Sequence, residues 1–469
     1  MSNPFLPLTE YIPDGEPHVF GDRVYLYGSH DKANSKRFCV QDYVVYSAPI
    51  NDLSNWTFHG VSYRKEQDPR SKEGKLVDYY APDCVRGNDG KYYLYYFASG
   101  QNTTPFGPLS VAVSNTPEGP FNYLGDIRNK KGEVILDFLT NDPAVINDKG
   151  RIYLYYGWGL GLDFRNRLLK PLYNLVLSKL CHRNKKIVKE TKPSILSCAF
   201  VELEDDMLTV KDKPKAVLDS KTTAPFNSEL YKHPFYEAPS IRKIGDLYYL
   251  VYSSNENNEL AYATSKYPDR DFTFRGVIIS NSDLGYKGNK IRKNNSSTIH
   301  GGIECINGQY YVFYHRATNN TDYSRQACAE PIEISEDGFI KQVEMTTQGM
   351  DKKTLPGKGL YSATLCCNLI TKRRIRMGVG KQQTKPRITE QDGKPLLKDL
   401  TKGTKAIYKY FDLSNTKSLR LNYEGNGIVS VNDHVLNKDG RVFLTGNKKD
   451  IITIEILAGR IDIISFELE

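Results

Sequence analysis

The stretch RIYLYYG at 151–157 decides the fold, because four similar stretches occur elsewhere in the 469-residue chain. They read RVYLYGS at 23–29, KYYLYYF at 91–97, LYYLVYS at 247–253 and QYYVFYH at 309–315, and a glycine-containing turn precedes each of them. A unit that recurs at intervals of 60–96 residues buries its faces only against its neighbours. Since each unit consists of short strands and tight turns, the repeats predict an all-β chain with a five-bladed β-propeller.

Five polar residues lie at a matching place in the repeats, 10–12 residues before the central tyrosine of each stretch. They are Asp14 in PDGEP, Asp83 in YAPD, Asp142 in NDPA, Glu237 in YEAPS and His300 in IHGG. Equivalent positions of a radial array lie at equal distances from its axis. If the first strand of each hairpin is innermost, we expect these side chains to meet at the axis. Carboxylates that converge raise one another's pKa, and such clusters usually serve chemistry.

The length of the chain favours two domains. The repeats end near residue 345, and beyond it short alternating strands are joined by turns rich in Gly, Asn and Asp. This pattern predicts a propeller domain over residues 1–345 and a β-sandwich domain over residues 346–469. The sandwich has no row of aromatic residues at strand spacing, so we expect it to brace the propeller rather than to bind glycan.

The N-terminus and the cysteines bear on the location of the protein. The chain begins MSNPFLPLTEY, without a basic segment followed by an apolar one, and no apolar run is long enough to span a membrane. Its eight cysteines form no CxxC pair, which favours reduced thiols. We therefore expect a cytoplasmic protein.

Lysine and arginine are scattered, except in a basic cluster at 165–192 that accounts for the longest interval between repeats. Leu168, Leu172, Leu175 and Val176 recur there near helical spacing, which predicts an inserted amphipathic helix. A basic helix can contact nucleic acid or a membrane. A solvated insertion that packs on the propeller or on another subunit is the simpler interpretation, so we expect neither partner. The oligomeric state is not predicted.

The acidic motifs carry a resemblance to a known family. DGEP near the N-terminus, NDPAV in the third repeat and YEAPS in the fourth resemble, in order and in phase, glycoside hydrolase family 43 over roughly residues 3–340. The resemblance implies hydrolysis of arabinofuranosyl or xylosyl linkages with inversion of configuration. The C-terminal part is similar to the β-sandwich of family 6 carbohydrate-binding modules.

The resemblance implies a role for each of three acids. Asp14 is expected to be the general base, Glu237 the general acid, and Asp142 the carboxylate that orients the acid and keeps it protonated. An inverting enzyme needs a base for water on one face of the sugar and an acid for the leaving oxygen on the other. Taken singly, Asp14 and Asp142 have simpler readings as turn residues, and Glu237 as an exposed strand end. The three together favour catalysis.

Other positions are expected to bind substrate or a metal ion. Asp83 is expected to bind a sugar hydroxyl or to hold its blade, next to Tyr80, which replaces the tryptophan that the family usually has. By the resemblance, His300 lies near a water-coordinated structural calcium ion. Calcium prefers oxygen ligands, so His300 alone does not make a calcium site. Arg316 matches an arginine that contacts substrate hydroxyls, with a surface salt bridge as the alternative.

Three further side chains are candidates for the sugar pocket. Trp158 in GWG is placed to stack on a sugar ring, and His30 and Phe38 are expected to line the pocket. No phosphate-binding loop, zinc-ligand spacing or serine elbow is present, so no cofactor is expected for the chemistry itself.

The function expected from these observations is an inverting exo-α-L-arabinofuranosidase that acts on oligosaccharides. A β-xylosidase is the alternative, and an endo-arabinanase or a galactosidase fits less well. A retaining fructan hydrolase would carry its N-terminal acid in an Asn-Asp-Pro-Asn context, whereas the first acid here lies in PDGEP. A propeller that binds carbohydrate without turnover is the non-enzymatic alternative, and the presence of all three acids argues against it.

Overall fold

The computed structural model describes residues 2–72, 74–100, 107–159, 196–254, 258–294, 298–319, 321–371, 386–444 and 450–469, together with single positions between 160 and 176. The residues of the five repeats form five separate antiparallel sheets, each with its strands in chain order. Four sheets have four strands and the fifth has three. The predicted five-bladed propeller is therefore confirmed, and each sheet is one blade.

The strands of the first three blades have the following bounds. Blade 1 comprises β1 (Glu16–Phe20), β2 (Arg23–Tyr27), β3 (Tyr43–Pro49) and β4 (Thr57–Tyr63). Blade 2 comprises β5 (Val77–Arg86), β6 (Tyr92–Gly100), β7 (Leu109–Ser114) and β8 (Asn122–Asp126). Blade 3 comprises β9 (Ala144–Asp148), β10 (Arg151–Tyr156), β11 (Ser197–Leu203) and β12 (Lys215–Asp219).

The last two blades complete the ring. Blade 4 comprises β13 (Glu237–Ile244), β14 (Leu247–Ser254), β15 (Glu259–Ser265) and β16 (Thr273–Ser280). Blade 5 comprises β17 (Ile303–Ile306), β18 (Gln309–Ala317) and β19 (Arg325–Ile332). A short helix, Glu229–Lys232, precedes blade 4, and single 3-10 turns lie at Lys65–Gln67, Tyr286–Gly288 and Ala363–Leu365.

The tyrosine-rich strand is the second strand of every blade, and its composition follows from its position. Tyr93, Leu94, Tyr95 and Tyr96 are all buried in β6, because both faces of a blade pack on neighbouring blades. Such a strand is apolar on both faces rather than on alternate residues. Apolar clusters join each blade to the next, and one of them joins blade 5 back to blade 1.

The N-terminal segment helps to close the ring. The backbone N–H of Phe5 donates to the carbonyl oxygen of Ala327 in blade 5 over 3.3 Å. The side chain of Asn3 donates to the carbonyl oxygen of Ala329 over 3.1 Å. Residues that precede blade 1 are thus tied to the last blade, where the sheet has three strands rather than four.

The innermost strands bring the repeats together at the axis. The aligned tyrosines pair with His18, Val85, Ile146, Arg242 and Glu304. We call the positions two and four residues earlier, on these strands or just before their first residues, the middle and outermost levels of the axis. The middle level is Glu16, Asp83, Ala144, Ser240 and Gly302. The outermost level is Asp14, Ala81, Asp142, Ala238 and His300.

The C-terminal strands form one strongly curved sheet of nine strands around its own apolar core. Two long strands, β27 (Ser418–Val431) and β30 (Ile451–Leu468), run through both halves of it, with bulges that allow them to bend. The remaining strands are β20 (Leu355–Pro356), β21 (Gly359–Ser362), β22 (Asn368–Ile370), β23 (Arg387–Gln391), β24 (Lys394–Thr401), β25 (Lys405–Lys409), β26 (Phe411–Asp412), β28 (His434–Val435) and β29 (Arg441–Phe443). Of these, β20 and β26 pair with each other in a separate two-stranded sheet.

Buried polar contacts fasten this sandwich to the propeller. The guanidinium of Arg316 in β18 donates to the carbonyl oxygens of Cys366 and Cys367 at 2.8 and 2.7 Å. Lys409 of the sandwich donates to Glu344 at 2.8 Å and lies 3.4 Å from Asp283 of the propeller. These contacts support a bracing role for the sandwich, and the boundary at residue 345 stays a prediction.

The predicted helix of the basic insertion lies mostly outside the described residues. Pro171, Leu172 and Leu175 are helical, and Leu168 and Leu175 are exposed, whereas Val176 is not described. In the part of the chain that the structure describes, no helix has the length and apolarity that a membrane span requires.

Candidate active site

A cavity of about 270 Å³ opens at the axis of the propeller, at the outermost of the three levels. This volume is at the lower end for small-molecule sites. Residues from all five blades line it: Asp14, Phe38, Tyr80, Phe97, Ser99, Asn141, Asp142, Trp158, Tyr236, Glu237, Ala238, Thr298, Ile299, His300 and Arg325. The three acids that the sequence singles out, Asp14, Asp142 and Glu237, therefore face one cavity.

Asp14 is held by groups of blade 5. Its Oδ1 accepts a hydrogen bond from Nη1 of Arg325 over 2.9 Å. Its backbone N–H donates to Nδ1 of His315 over 3.1 Å. Asp14 has a φ of 58°, a left-handed conformation that aspartate tolerates better than most residues. The turn in PDGEP thus directs the carboxylate toward the axis.

The environment of Asp14 favours its ionised form. Burial raises the pKa of Asp14, but Arg325, His315 and His300 together lower it by more, so the net pKa lies below the ordinary value. A carboxylate that keeps its charge at neutral pH can accept a proton from water. This is the electrostatic state that a general base requires.

Asp142 and Glu237 form the opposite environment. Burial, then the charge of Glu237 and then that of Asp14, raise the pKa of Asp142 well above its ordinary value. Oδ2 of Asp142 accepts the backbone N–H of Ala238 over 3.1 Å, which ties blade 3 to the residue after Glu237. Two neighbouring carboxyl groups in such a site do not both ionise readily, so the pair retains a proton.

An Ala-Pro bulge shapes the strands that carry Tyr80 and Glu237. In β13 the register skips from Glu237 to Ser240, and in β5 it skips from Tyr80 to Asp83. The skipped residues are Ala-Pro in both cases, and proline cannot donate a ladder hydrogen bond. Both alanines have positive φ, 62° at Ala238 and 34° at Ala81. The bulges place Glu237 and Tyr80 at equivalent points of the cavity wall.

Two buried histidines near Asp14 are neutral. Burial lowers the pKa of His300 to about 4 and that of His315 to about 3. Nε2 of His315 lies 2.9 Å from the carbonyl oxygen of Thr298, so it carries the proton and Nδ1 accepts from the backbone of Asp14. His300 lies 3.8 Å from Asp14 and 4.0 Å from Asp142.

Aromatic side chains from blades 2, 3 and 4 and from the loop at Phe38 line the cavity. Tyr80 stacks on Phe97 with ring centroids 4.9 Å apart, and Trp158 meets Tyr236 edge to face at 5.9 Å. Phe38 covers the guanidinium of Arg325 at 4.6 Å. Aromatic faces suit the apolar faces of sugar rings. Trp158 and Phe38 thus both line this cavity.

Below the acids, two polar atoms, one from the middle and one from the outermost level of the axis, are available to an ion. Oε1 of Glu16 and Nε2 of His300 lie 3.9 Å apart, and both are buried without a hydrogen-bond partner among the described residues. Burial, then Asp83, raise the pKa of Glu16 to about 8, although Arg242 and Ser240 lower it. A divalent cation would stabilise the carboxylate form of Glu16. The carboxylate oxygen of Glu16 fits such an ion directly, and the imidazole of His300 fits it through a water ligand.

Three predicted site residues lie elsewhere. Asp83 is fully buried one level below Asp14, where its oxygens accept from His18, from its neighbour's backbone N–H and from the backbone of Val145. It holds blades 2 and 3 together and does not reach the cavity. Arg316 is engaged by the sandwich, so its guanidinium does not face substrate. His30 lies outside the cavity, with Nδ1 2.8 Å from the carbonyl oxygen of Asp42.

Arg325, His315 and Glu16 are the functional residues that the sequence interpretation misses. Arg325 begins β19 after a loop, and nothing in DYSRQAC marks it as axial. His315 is the last residue of the repeated stretch QYYVFYH, and this fixed place in the repeat is a signal from which its position could be predicted. Glu16 begins β1, so strand alternation places it on the same face as His18.

This arrangement can carry out hydrolysis by two carboxyl groups in opposite protonation states. Asp14 is ionised beside an arginine. The pair formed by Asp142 and Glu237 retains a proton. A protonated acid and an ionised base in one aromatic-walled cavity are the elements of acid–base glycoside cleavage.

Comparisons with known proteins agree with this chemistry. The family model described as glycosyl hydrolases family 43 matches residues 1–199 and 193–340. A xylosidase/arabinosidase from Thermoclostridium stercorarium is 40% identical over 442 residues, which cover 90% of this chain and 85% of that protein. The sequence similarity to this glycoside hydrolase thus extends over most of the chain, from the propeller into the C-terminal sandwich.

Solved structures show the same architecture. A β-xylosidase/α-arabinofuranosidase from a compost microbial metagenome, solved with xylotriose in a calcium-free form, matches with a TM-score of 0.55 and 26% identity over 73% of this chain and 97% of that one. An arabinoxylan arabinofuranohydrolase from Bacillus subtilis covers 99% of this chain and 97% of its own, with a TM-score of 0.51 and 17% identity, which concerns the fold alone.

Proposed function

The chain belongs to glycosyl hydrolases family 43, and we propose that it is an inverting, exo-acting hydrolase of plant cell-wall-derived oligosaccharides. In this proposal it releases terminal α-L-arabinofuranosyl residues from them. The observation that carries the proposal is the convergence of Asp14, Asp142 and Glu237 on one axial cavity with opposite protonation tendencies. A β-D-xylosidase is the second candidate, and it is favoured by a relative named for both activities.

In the proposed mechanism Asp14 acts as the general base. Its carboxylate takes a proton from a water molecule, which attacks the anomeric carbon from the face opposite the leaving group. Arg325 keeps Asp14 ionised before the reaction and holds one of its oxygens in place. The neutral His315 fixes the backbone of Asp14 without adding a competing charge.

Glu237 acts as the general acid in the same proposal. It donates a proton to the leaving oxygen, and Asp142 beside it disfavours the loss of that proton before substrate binds. The backbone N–H of Ala238 stabilises the charge on Asp142. We therefore assign the proton shared by this pair to Glu237 in the reactive state.

The shape of the cavity supports action on chain ends. The acids lie at the axis behind the walls formed by Tyr80 with Phe97 and by Trp158 with Tyr236. A cavity of about 270 Å³ accepts a terminal sugar more readily than the middle of a polymer. This supports oligosaccharides as substrates.

Hydrolysis of an aryl α-L-arabinofuranoside and an aryl β-D-xyloside, measured side by side, tests the proposed function. We expect turnover of the arabinoside to dominate, and NMR of the first product formed should show the inverted anomer. Turnover of the xyloside alone would keep the mechanism and establish the second candidate. Turnover of neither would contradict both assignments and point to another glycoside, and a retained anomer would contradict the inverting mechanism.

We also propose a structural calcium ion at the middle level of the axis. Glu16 would bind it directly and His300 through one of its waters, and the ion would supply positive charge below the acids. The two unpartnered buried atoms of these residues support this assignment. No proton transfer of the proposed mechanism depends on the ion.

Thermal unfolding with and without calcium tests the proposed ion. In EDTA-treated protein, we expect saturating Ca²⁺ to raise the Tm by a few degrees, because a ligand that binds the folded state stabilises it. Glu16→Gln should lose this shift. Glu304→Gln, which lies one level further along the axis and contacts Arg242, should keep it. An equal shift in Glu16→Gln and the parent would place the ion elsewhere, and no shift in the parent would contradict it.

A further inference from the structure

The guanidinium of Arg325 is shared between two carboxylates. Its Nε and Nη2 donate to Asp31 over 2.8 and 3.1 Å, and its Nη1 donates to Asp14 over 2.9 Å. Arg325 and Asp31 are both buried, so water does not compete for these bonds. Two parallel hydrogen bonds from one guanidinium to one carboxylate fix the plane of the group.

Asp31 is itself held firmly in the loop between β2 and β3. Its Oδ1 accepts the backbone N–H of Cys39 over 2.9 Å, and its own backbone N–H donates to the carbonyl oxygen of Tyr11 over 2.9 Å. Asp31 is absent from the described wall of the cavity, so it is not placed to touch substrate. Apart from this loop contact with Cys39, the carboxylate of Asp31 binds the guanidinium of Arg325.

We propose that Asp31 is a positioning residue for hydrolysis, which acts through Arg325 by fixing the guanidinium so that its third nitrogen meets Oδ1 of Asp14. The inference rests on the proposed function of Asp14. Among the described residues, Arg325 is the permanent cation in contact with Asp14, whose other ionisable contacts are the imidazoles of His300 and His315.

Without Asp31, the position of the guanidinium is no longer defined. Arg325 would lose two of the three charged hydrogen bonds that orient it, and the ring of Phe38 covers its face without fixing its rotation. A shift of about 1 Å in a group that positions a reacting residue can cost about 100-fold in rate. The loss should appear in kcat rather than in KM, because Asp31 does not contact the sugar.

A double-mutant cycle on the full-length enzyme tests the proposal. Asp31→Asn, Arg325→Gln and the double variant are compared with the parent on the aryl pentoside that the parent hydrolyses. We expect Asp31→Asn to lower kcat about 100-fold with KM within about threefold. The double variant should have a kcat within about threefold of Arg325→Gln, because residues that act through one another are not additive. Losses that multiply would overturn the proposal.

Asp78→Asn is the matched control. Asp78 is also buried and binds a guanidinium, that of Arg37 at 2.5 and 3.2 Å, but it has no bond to Arg325. It should lose thermal stability and keep kcat within about threefold of the parent. A 100-fold loss of kcat in Asp78→Asn would show a general effect of buried charge and overturn the specific role of Asp31.

Asp31→Glu covers the case in which Asp31→Asn does not fold. It keeps the charge but moves the carboxylate by one methylene, so kcat should fall at least tenfold, again without additivity with Arg325→Gln. Parental kcat in a folded Asp31 variant would overturn the inference. Absence of turnover in the parent would instead contradict the proposed function, so the two failures are distinguishable.

Discussion

Replacing Asp14 by asparagine is expected to lower kcat/KM by about 1,000-fold or more on every pentoside that the enzyme cleaves. Asparagine has nearly the same shape and keeps the backbone contact with His315, but it cannot take a proton from water. Arg325 remains bound to Asp31 in this variant, so the wall of the cavity should persist. Steady-state kinetics on an aryl glycoside and on an unactivated disaccharide measure the loss, which should be equal for both.

Glu10→Gln is the control for Asp14→Asn. Glu10 belongs to the same N-terminal segment, and its Oε2 lies 3.4 Å from Nε2 of His30, outside the cavity. Its kcat/KM should stay within about twofold of the parent, as expected for a substitution away from a functional site. Activity above one tenth of the parent in Asp14→Asn would contradict its assignment as the base.

Replacing Glu237 by glutamine should produce a different pattern, because an acid matters only when the leaving group needs a proton. On an unactivated disaccharide we expect kcat/KM to fall by about 1,000-fold. On a dinitrophenyl glycoside, whose leaving group departs as a stable anion, the loss should be about tenfold or less. The same pair of substrates therefore separates the acid from the base.

The comparison of Glu237→Gln with Asp14→Asn is an internal control, since both remove one carboxylate from the same cavity. Equal losses on both leaving groups in Glu237→Gln would contradict its role as the acid. Loss of activity together with a lowered Tm and an altered circular dichroism spectrum would instead indicate misfolding. The spectra of the two variants therefore distinguish misfolding from loss of a catalytic group.

Much of the fold could be predicted because the repeat is visible in the residues themselves. Glycine turns and tyrosine-rich strands recur in one phase, and a radial array places equal phases at equal radii. The three acids followed from this geometry together with the family resemblance. The curved course of β27 and β30, in contrast, depends on bulges that alternation does not reveal.

The differences between the expected and the observed positions of site residues have local physical causes. Asp83 has the spacing of the acids in the other repeats, whereas the Ala-Pro dipeptides of YAPD and YEAPS align it with Ser240, one level deeper, where it has the second of its two expected roles and holds its blade. Arg316 follows His315 in sequence, but successive strand residues point to opposite faces, and the sandwich takes the guanidinium of Arg316. The position of Arg325 at the axis depends on the path of the loop before β19, and no local sequence pattern indicates that path.

The contacts of Asp14 with blade 5 have a consequence for the making of the enzyme. His315 and Arg325 lie 301 and 311 residues after the aspartate that they hold. During synthesis the three acids emerge before the groups that hold Asp14 at the axis, so a nascent chain carries the acids without a positioned base. In refolding, hydrolase activity should therefore return last, when blade 5 closes the ring. The recovery of activity would report the time of ring closure more directly than any signal from secondary structure.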